Sequence, residues 1–234
     1  MYSFKQYLSE SKNTHLEHLE DEIINNGYEG GLNAVAFLKS LRGMLTGSSR
    51  RKLNVSVKWD GAPAVFCGIN PENGRFFVGS KSIFNVTPKI NYTQSDISRN
   101  HSGGLAAKLN IALRELPKLG IKGIVQGDLL FTPADIKSVS IRGEDAIAFT
   151  PNTITYAVPE NTLLAKRIKR AKLGIIFHTS YTGKKMSNLK AGFGVNVNRF
   201  TKTPSVFFSD ASYKDTSGVA TFTSSESDSY DAQL

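Results

Sequence analysis

A lysine followed closely by an aspartate and a glycine is the first feature of this sequence that could do chemistry. The stretch is Lys58-Trp59-Asp60-Gly61, and its lysine is the last residue of segment 53–58, in which apolar and polar side chains alternate. The alternation predicts a half-buried strand with Lys58 on its polar face, and Asp60-Gly61 predicts a turn with Gly61 at positive φ and residues 62–66 as the paired strand. A lysine amine attacks only when neutral, so a nucleophilic role requires desolvation or a neighbouring cation. An exposed lysine in a β-hairpin explains the same pattern.

Three later stretches add polar groups at places where strands are expected. Gly79-Ser80-Lys81 ends a strand that follows a hairpin turn at residues 70–74. Gln126-Gly127-Asp128 interrupts the apolar run 122–131, and Phe177-His178 lies inside the apolar run 173–183. Taken alone, Asp128 could be a rim aspartate at a strand bulge, and Phe177 a core residue.

In this order the stretches resemble the motifs of the covalent nucleotidyltransferases, the superfamily of ATP-dependent DNA ligases, RNA ligases and mRNA capping enzymes. Residues 58–61 resemble the K-x-D-G signature, Gly79-Ser80-Lys81 resembles motif Ia, Gln126-Gly127-Asp128 resembles motif III, and residues 173–183 resemble motif IIIa. The resemblance covers residues 54–182. The same run also looks like a ligase-like protein family of tailed phages.

The resemblance implies a reaction and its cofactors. Lys58 would attack the α-phosphate of ATP and carry AMP as a lysyl phosphoramide, with Mg²⁺ or Mn²⁺ balancing the charge on the phosphates. Nucleic acid would then accept the AMP, and the sequence does not distinguish DNA from RNA.

The resemblance also implies which residues bind the nucleotide. Asp60 and Gly61 would shape the turn beside it, and Lys81 would contact its sugar or phosphate. Asp128 would bind the ribose or a metal-bound water, and Phe177 would stack on the adenine.

Several positions depart from the family's pattern. Ser56 stands where DNA ligases often have an acid, Pro63 where many members have an arginine, and Gln126 where motif III has its first acid. Motif IV, an E-G strand, and motif V, a K-x-K strand, are not found after Tyr181. We therefore expect either the N-terminal part of a longer enzyme or a ligase-like module that binds nucleotide or nucleic acid without catalysis.

Composition sets the class of protein. The 234 residues are 40% hydrophobic, which is enough for a sizeable core, and the net charge of +9 favours polyanionic partners or serves solubility alone. The single cysteine, Cys67, excludes an internal disulfide and fits a reducing cytosol, which would be the host's if a phage encodes the chain. No apolar run is long enough for a membrane span. Five cations fall within the predicted helix 161–171 and the residue after it, where a nucleic-acid contact and a solvated face are both reasonable interpretations.

The elements that would position these residues predict an α+β fold. We expect a ligase-type adenylation domain, with two antiparallel sheets around a nucleotide cleft and flanking helices. Its expected bounds are residues 51–210, preceded by a helical segment at 1–50 and followed by a disordered tail at 211–234. Helices are predicted at 15–25, 32–44 and 105–116, and a long loop at 87–103.

Overall fold

The computed structural model describes residues 19–48, 56–212 and 222–233. The chain divides into two compact units, one of residues 1–57 with 212–234 and one of residues 58–211. The predicted start of the first helix near His15, its capping box at Thr14, and the first half of the strand expected before Lys58 lie outside the described residues.

The helices and strands follow one another in this order along the chain: α1 (Leu19–Leu45), β1 (Ala64–Ile69), β2 (Phe76–Gly79), α2 (Gln94–Asn100), α3 (Gly103–Glu115), β3 (Ile124–Phe131), β4 (Lys137–Ile141), β5 (Glu144–Phe149), β6 (Tyr156–Pro159), α4 (Leu163–Arg170), β7 (Leu173–Thr182), β8 (Lys190–Phe193), β9 (Val206–Asp210) and α5 (Ser224–Asp231). Short 3₁₀ turns occur between them, one of them at Lys81–Phe84. The predicted α+β class is confirmed.

The first unit contains α1 and α5. Gly27 interrupts α1 with non-helical dihedral angles (φ 56°, ψ −129°), at the point where the sequence predicts one helix to end before the next. In α5, Thr223 forms a capping box with Glu226, so this part of the expected disordered tail is a helix. Tyr230 Oη donates to the Leu38 carbonyl (3.1 Å), which ties α5 to α1.

The second unit contains both sheets. The larger one has the order β2-β1-β3-β7-β8, with β9 beside the first half of β7. All its pairs are antiparallel except β7 with β9, where Leu173 lies opposite Val206 in a parallel register. The expectation of two antiparallel sheets therefore holds for the smaller sheet, β4-β5-β6, and is wrong for the larger, which is mixed.

One face of the larger sheet packs against α3 and forms the main core. Leu109 and Ala112 of α3 lie against Val65, Leu129 and Phe177 from three central strands, and all five side chains are fully buried. Hydrophobic burial at these positions holds α3 to the sheet.

A second core joins the small sheet, α4 and the far end of β3. Phe131, Ile147 and Ile168 are buried there together with Phe149. The ring centroids of Phe131 and Phe149 lie 4.8 Å apart.

The region before β1 differs from the predicted hairpin. Residues 57–61 form no strand, and Ser56 makes only an isolated bridge to Ser212. Residues 64–69 pair with β2 and β3 instead of returning along the Lys58 segment. The polar stretch expected to be a loop contains α2, which begins at a capping box between Thr93 and Asp96.

Two expectations from composition concern Cys67 and membranes. Cys67 is fully buried in the main core, and burial raises the pKa of its thiol. Within the part of the chain that the structure describes, no helix has the length and apolar character needed to cross a membrane.

The placement of Phe177 leads to a stability prediction. Phe177→Ala empties a fully buried site and should lower the free energy of unfolding by about 3–5 kcal/mol, measured by urea denaturation. Phe193→Ala is the control, because Phe193 on β8 is 47% exposed and should cost less than about 1 kcal/mol. Equal losses in the two variants would contradict the core placement.

Candidate functional site around Lys58

Residues 58–62, which we call the lysine segment, are held in place from several sides. Asp60 is its strongest anchor. Its carboxylate accepts hydrogen bonds from Asn152 Nδ2 (2.9 Å), Thr153 N (2.6 Å), Thr153 Oγ1 (2.8 Å) and Ile154 N (2.6 Å). The donors come from the loop between β5 and β6. These bonds, with that from Ile154 N the largest cause, hold the pKa of Asp60 well below its usual range.

Trp59 supplies the second anchor. Its ring packs on Tyr156 of β6 at a centroid distance of 5.3 Å, and the Tyr156 hydroxyl accepts a hydrogen bond from Asp60 N (2.9 Å). Tyr156 in turn stacks on Phe149 at 5.6 Å. The lysine segment is thereby joined to the second core through a row of aromatic rings.

Gly61 and Ala62 supply the third anchor, against β3. A Cβ atom at Gly61 would lie 2.4 Å from Asp128 Cβ and 3.0 Å from the Asp128 carbonyl carbon. Ala62 N donates to the Leu129 carbonyl (2.9 Å), and Leu129 N donates to the Pro63 carbonyl (3.1 Å). Gly61 is not among the glycines with positive φ, so the expected turn conformation is wrong. Glycine is required here by the close approach of two backbones.

Lys58 differs from its neighbours in the segment. Its side chain is exposed, and no hydrogen bond or ion pair joins it to any residue that the structure describes. The amine is therefore available to an incoming group, while the residues that follow it are fixed.

Asp128 stands beside the lysine segment and faces His178. Asp128 Oδ1 lies 3.4 Å from His178 Nε2, a contact that becomes an ion pair when the imidazole is protonated. The two side chains are 23% and 25% exposed, yet His178 Nε2 itself is buried and makes no hydrogen bond. His178 Nδ1 lies 2.8 Å from Thr179 Oγ1, which restrains the ring. His178 Nε2 is thus a buried polar atom without a hydrogen-bond partner, next to a carboxylate oxygen on the neighbouring strand β3.

The bulge in β7 explains why His178 reaches Asp128. Gln126 pairs with Thr179 and Gly127 with Phe177, which leaves His178 as an extra residue between them. Tyr181 Oη, farther along β7, donates to Gln126 Oε1 (2.7 Å), so Gln126 is held by a buried tyrosine.

Phe177 lies on the other face of the sheet. It pairs with Gly127, whose neighbour Asp128 points the opposite way because successive strand residues alternate in direction. Its ring is fully buried and meets Phe200 edge-on at 5.3 Å. Stacking of Phe177 on adenine does not fit this placement, since neither face of the ring is open to a base.

Lys81 lies near the same end of the larger sheet as Asp128. It is exposed in the 3₁₀ turn that follows β2, two residues beyond Gly79, and Gly79 pairs with Phe66. Asp128 pairs with Ala64, two residues before Phe66. The register therefore puts Lys81 and Asp128 at similar heights on either side of β1.

Lys108 is a cation near the lysine segment that the motif comparison does not identify. From α3, Lys108 Nζ donates to the Ala62 carbonyl (3.4 Å) and lies 4.0 Å from Asp135 Oδ2. The sequence signal that could have identified Lys108 is its position directly before Leu109, which belongs to the apolar stripe of α3.

Metal binding at this site would depend on Asp128 and the ligand. No group of three or more histidine, cysteine, aspartate or glutamate side chains suited to a metal occurs within residues 19–48, 56–212 and 222–233. One partly exposed carboxylate fits Mg²⁺, which is commonly bound through one or two carboxylates together with water and phosphate oxygens.

The fold and site together define an α+β protein with an exposed lysine on an anchored segment beside an aspartate–histidine pair. Comparison with known families goes one step further. Residues 13–234 match the model described as Family of unknown function (DUF6267), and the chain belongs to that family. No curated protein and no solved structure matches the chain.

The close approach at Gly61 can be tested by adding one methyl group. Gly61→Ala should lower the free energy of unfolding by about 1–3 kcal/mol, because the new Cβ would lie 2.4 Å from the Asp128 Cβ, which cannot move without the backbone of β3. Gly123→Ala is the matched control, with no atom within 4 Å of the added Cβ and no positive φ. A Gly61→Ala variant as stable as the control would show that the two backbones are not in contact.

The Asp60 anchor predicts a pH dependence. Since the folded-state pKa of Asp60 lies below the unfolded value of about 3.9, its stabilisation is present above that value and is lost as pH falls toward the folded value. Asp60→Asn should therefore lower the melting temperature at pH 7, and the difference from wild type should shrink as the pH drops below about 4. A difference that stays constant with pH would contradict the carboxylate's role.

Proposed function

We propose that this protein is an ATP-dependent nucleotidyltransferase of the polynucleotide-ligase type, built on an adenylation-domain fold. One contrast supports the proposal best. Residues 59–62 are fixed to β3 and to the β5–β6 loop, whereas the side chain of Lys58 is exposed and has no partner among the described residues. A fixed backbone and an accessible amine would favour attack on a bound nucleotide, whose metal ion would supply the neighbouring cation.

The proposed reaction forms a bond between Lys58 and the α-phosphate of ATP. The ammonium of Lys58 first loses a proton to solvent, which the nearby positive charge of a nucleotide-bound metal ion would favour because Lys58 itself is exposed, and Nζ then attacks the α-phosphorus. An N–P bond forms while the P–O bond to the β-phosphate breaks, and pyrophosphate leaves with the bonding electrons. The product is lysyl-AMP, from which a polynucleotide end would accept the AMP.

The neighbouring residues have roles that follow from their charge. Lys81 would neutralise phosphate or contact the sugar, and Asp128, which lies beside His178, would contact the ribose or hold Mg²⁺ with phosphate oxygens. Bound Mg²⁺ supplies neutralisation of the charge that develops on the phosphates. Asp60 would act through its anchoring of the segment, because four hydrogen bonds already occupy its carboxylate. With Phe177 in the core, the proposal assigns no stacking ring.

The second candidate is a ligase-like module that binds nucleotide or nucleic acid without forming the adduct. One observation favours it. Gln126 stands where the family has an acid and is tied to Tyr181, so this position contributes no charge to a metal or to the reaction.

Intact-mass measurement after incubation with ATP and Mg²⁺ tests the first candidate. The wild-type mass should increase by one AMP, and peptide mapping should place the addition on Lys58. Lys58→Ala should show no increase, because the attacking amine is missing.

Lys137→Ala is the matched control, since Lys137 is an exposed lysine on β4 outside the proposed site. It should take up AMP as the wild type does. Binding of ATP by wild type without any increase in mass would overturn the enzyme proposal and favour the binding module.

A further inference from the structure

We infer that α4 is a docking surface for the sugar–phosphate backbone of a nucleic acid. The surface consists of five cations, which we call the basic patch: Lys166, Arg167, Lys169, Arg170 and Lys172. This inference deepens the proposed function, on which it rests for the choice of a polynucleotide over other polyanions.

The orientation of α4 is set by its apolar residues. Ala165 and Ile168, three residues apart, are buried in the second core, and Thr162 caps the first turn by accepting from Ala165 N (3.1 Å). With 3.6 residues per turn, the side chains of Lys166 and Arg170 then point away from the core. Both are exposed, as the burial of Ala165 and Ile168 requires.

The described residues provide partners for two of the five cations in the basic patch. Lys169 forms an ion pair with Glu160, and the Arg167 guanidinium lies 5.0 Å from the centroid of the Phe207 ring. Lys166, Arg170 and Lys172 form no ion pair with any residue in the described ranges. Three exposed cations within seven positions of the sequence thus have no counterion among the residues that the structure describes.

The helix dipole accounts for some of these charges but not for their number. Cations in the last turn of a helix interact favourably with its C-terminal carbonyls, and Arg167, Lys169 and Arg170 occupy that turn. Lys166 lies earlier and Lys172 beyond the helix end. Lys166 and Arg170 lie one turn apart, about 6 Å along the axis, which lets them contact different phosphates of one strand.

An anionic membrane is the other surface that a basic helix could meet. A membrane-surface helix inserts a free apolar face, whereas the apolar face of α4 is already used in the core. Leu163 is 84% exposed and Leu164 45% exposed, but these two first-turn leucines are the only exposed large apolar side chains of α4, less than the apolar stripe by which a membrane-surface helix inserts. Because α4 has no free apolar face of this kind, its cations favour nucleic acid over a membrane.

Binding measurements on a triple variant test the inference. Lys166→Ala/Arg170→Ala/Lys172→Ala removes the three cations that have no ion-pair partner in the described ranges and spares Arg167 and Lys169, which have partners there. Dissociation constants are measured over a range of salt concentrations with a single-stranded DNA, a duplex DNA, a single-stranded RNA and vesicles containing anionic phospholipid. With at least one nucleic acid, the triple variant should bind about tenfold or more weakly, and the slope of log K against log salt should fall by about 2 to 3.

The matched control removes the same charge elsewhere in the same unit. Lys122, Lys137 and Lys190 are exposed and lie outside α4, and their triple alanine variant should keep most of the wild-type affinity. A variant that retains charge, Lys166→Arg/Arg170→Lys/Lys172→Arg, should also bind like wild type.

The outcomes separate this inference from the proposed function. Equal losses in the two alanine variants, no loss in the α4 variant, or binding to vesicles but to no nucleic acid would overturn the docking surface. AMP uptake by the wild type is measured separately, without nucleic acid, and tests the proposed function. Failed uptake with α4-dependent binding rejects the enzyme alone, and normal uptake with α4-independent binding rejects the docking surface alone.

Discussion

The contact between Gly61 and Asp128 is the constraint on which the candidate site depends. At this point two backbones approach so closely that a single methyl group would overlap Asp128. The approach allows Ala62 and Pro63 to exchange hydrogen bonds with Leu129, which extends the pairing of β1 with β3 back toward Lys58. Everything proposed for Lys58 requires that its backbone be held next to Asp128, and this contact holds it there.

The other anchors act on the same short segment from the second core. Asp60 is bound by the β5–β6 loop and Trp59 by Tyr156, so the lysine segment lies between the larger sheet and the smaller one. An ordinary surface lysine would not need such support. The chain uses one carboxylate, one aromatic ring and one glycine to fix the backbone beside a lysine side chain that has no hydrogen bond or ion pair with the described residues.

Much of the fold could be predicted from the sequence, because local patterns determine its elements. The apolar density of residues 124–131 and 173–182 identifies β3 and β7, and the stripe of leucines identifies α3. The missed helix α2 also had a local signal, the Thr93 and Asp96 capping box, which was outweighed by the polar composition around it.

The environment of Lys58 could not be predicted in the same way, because its contacts are distant in sequence. The anchors of Asp60 come from residues more than 90 positions later, and the strand beside Gly61 is β3, so alternation around Lys58 wrongly suggested a local hairpin. Phe177 shows the same limit. Whether its ring points toward the site or into the core depends on the pairing register with β3, and the bulge at His178 changes that register within one residue.

Transfer of radioactive phosphorus from ATP tests the central claim most directly. Protein incubated with ATP labelled at the α-phosphate should retain the label after denaturation, whereas label at the γ-phosphate should be lost with pyrophosphate. A bond between nitrogen and phosphorus should release the α-label in acid and keep it in alkali. Absence of α-label, equal retention of γ-label, or undiminished labelling of Lys58→Ala would contradict the account.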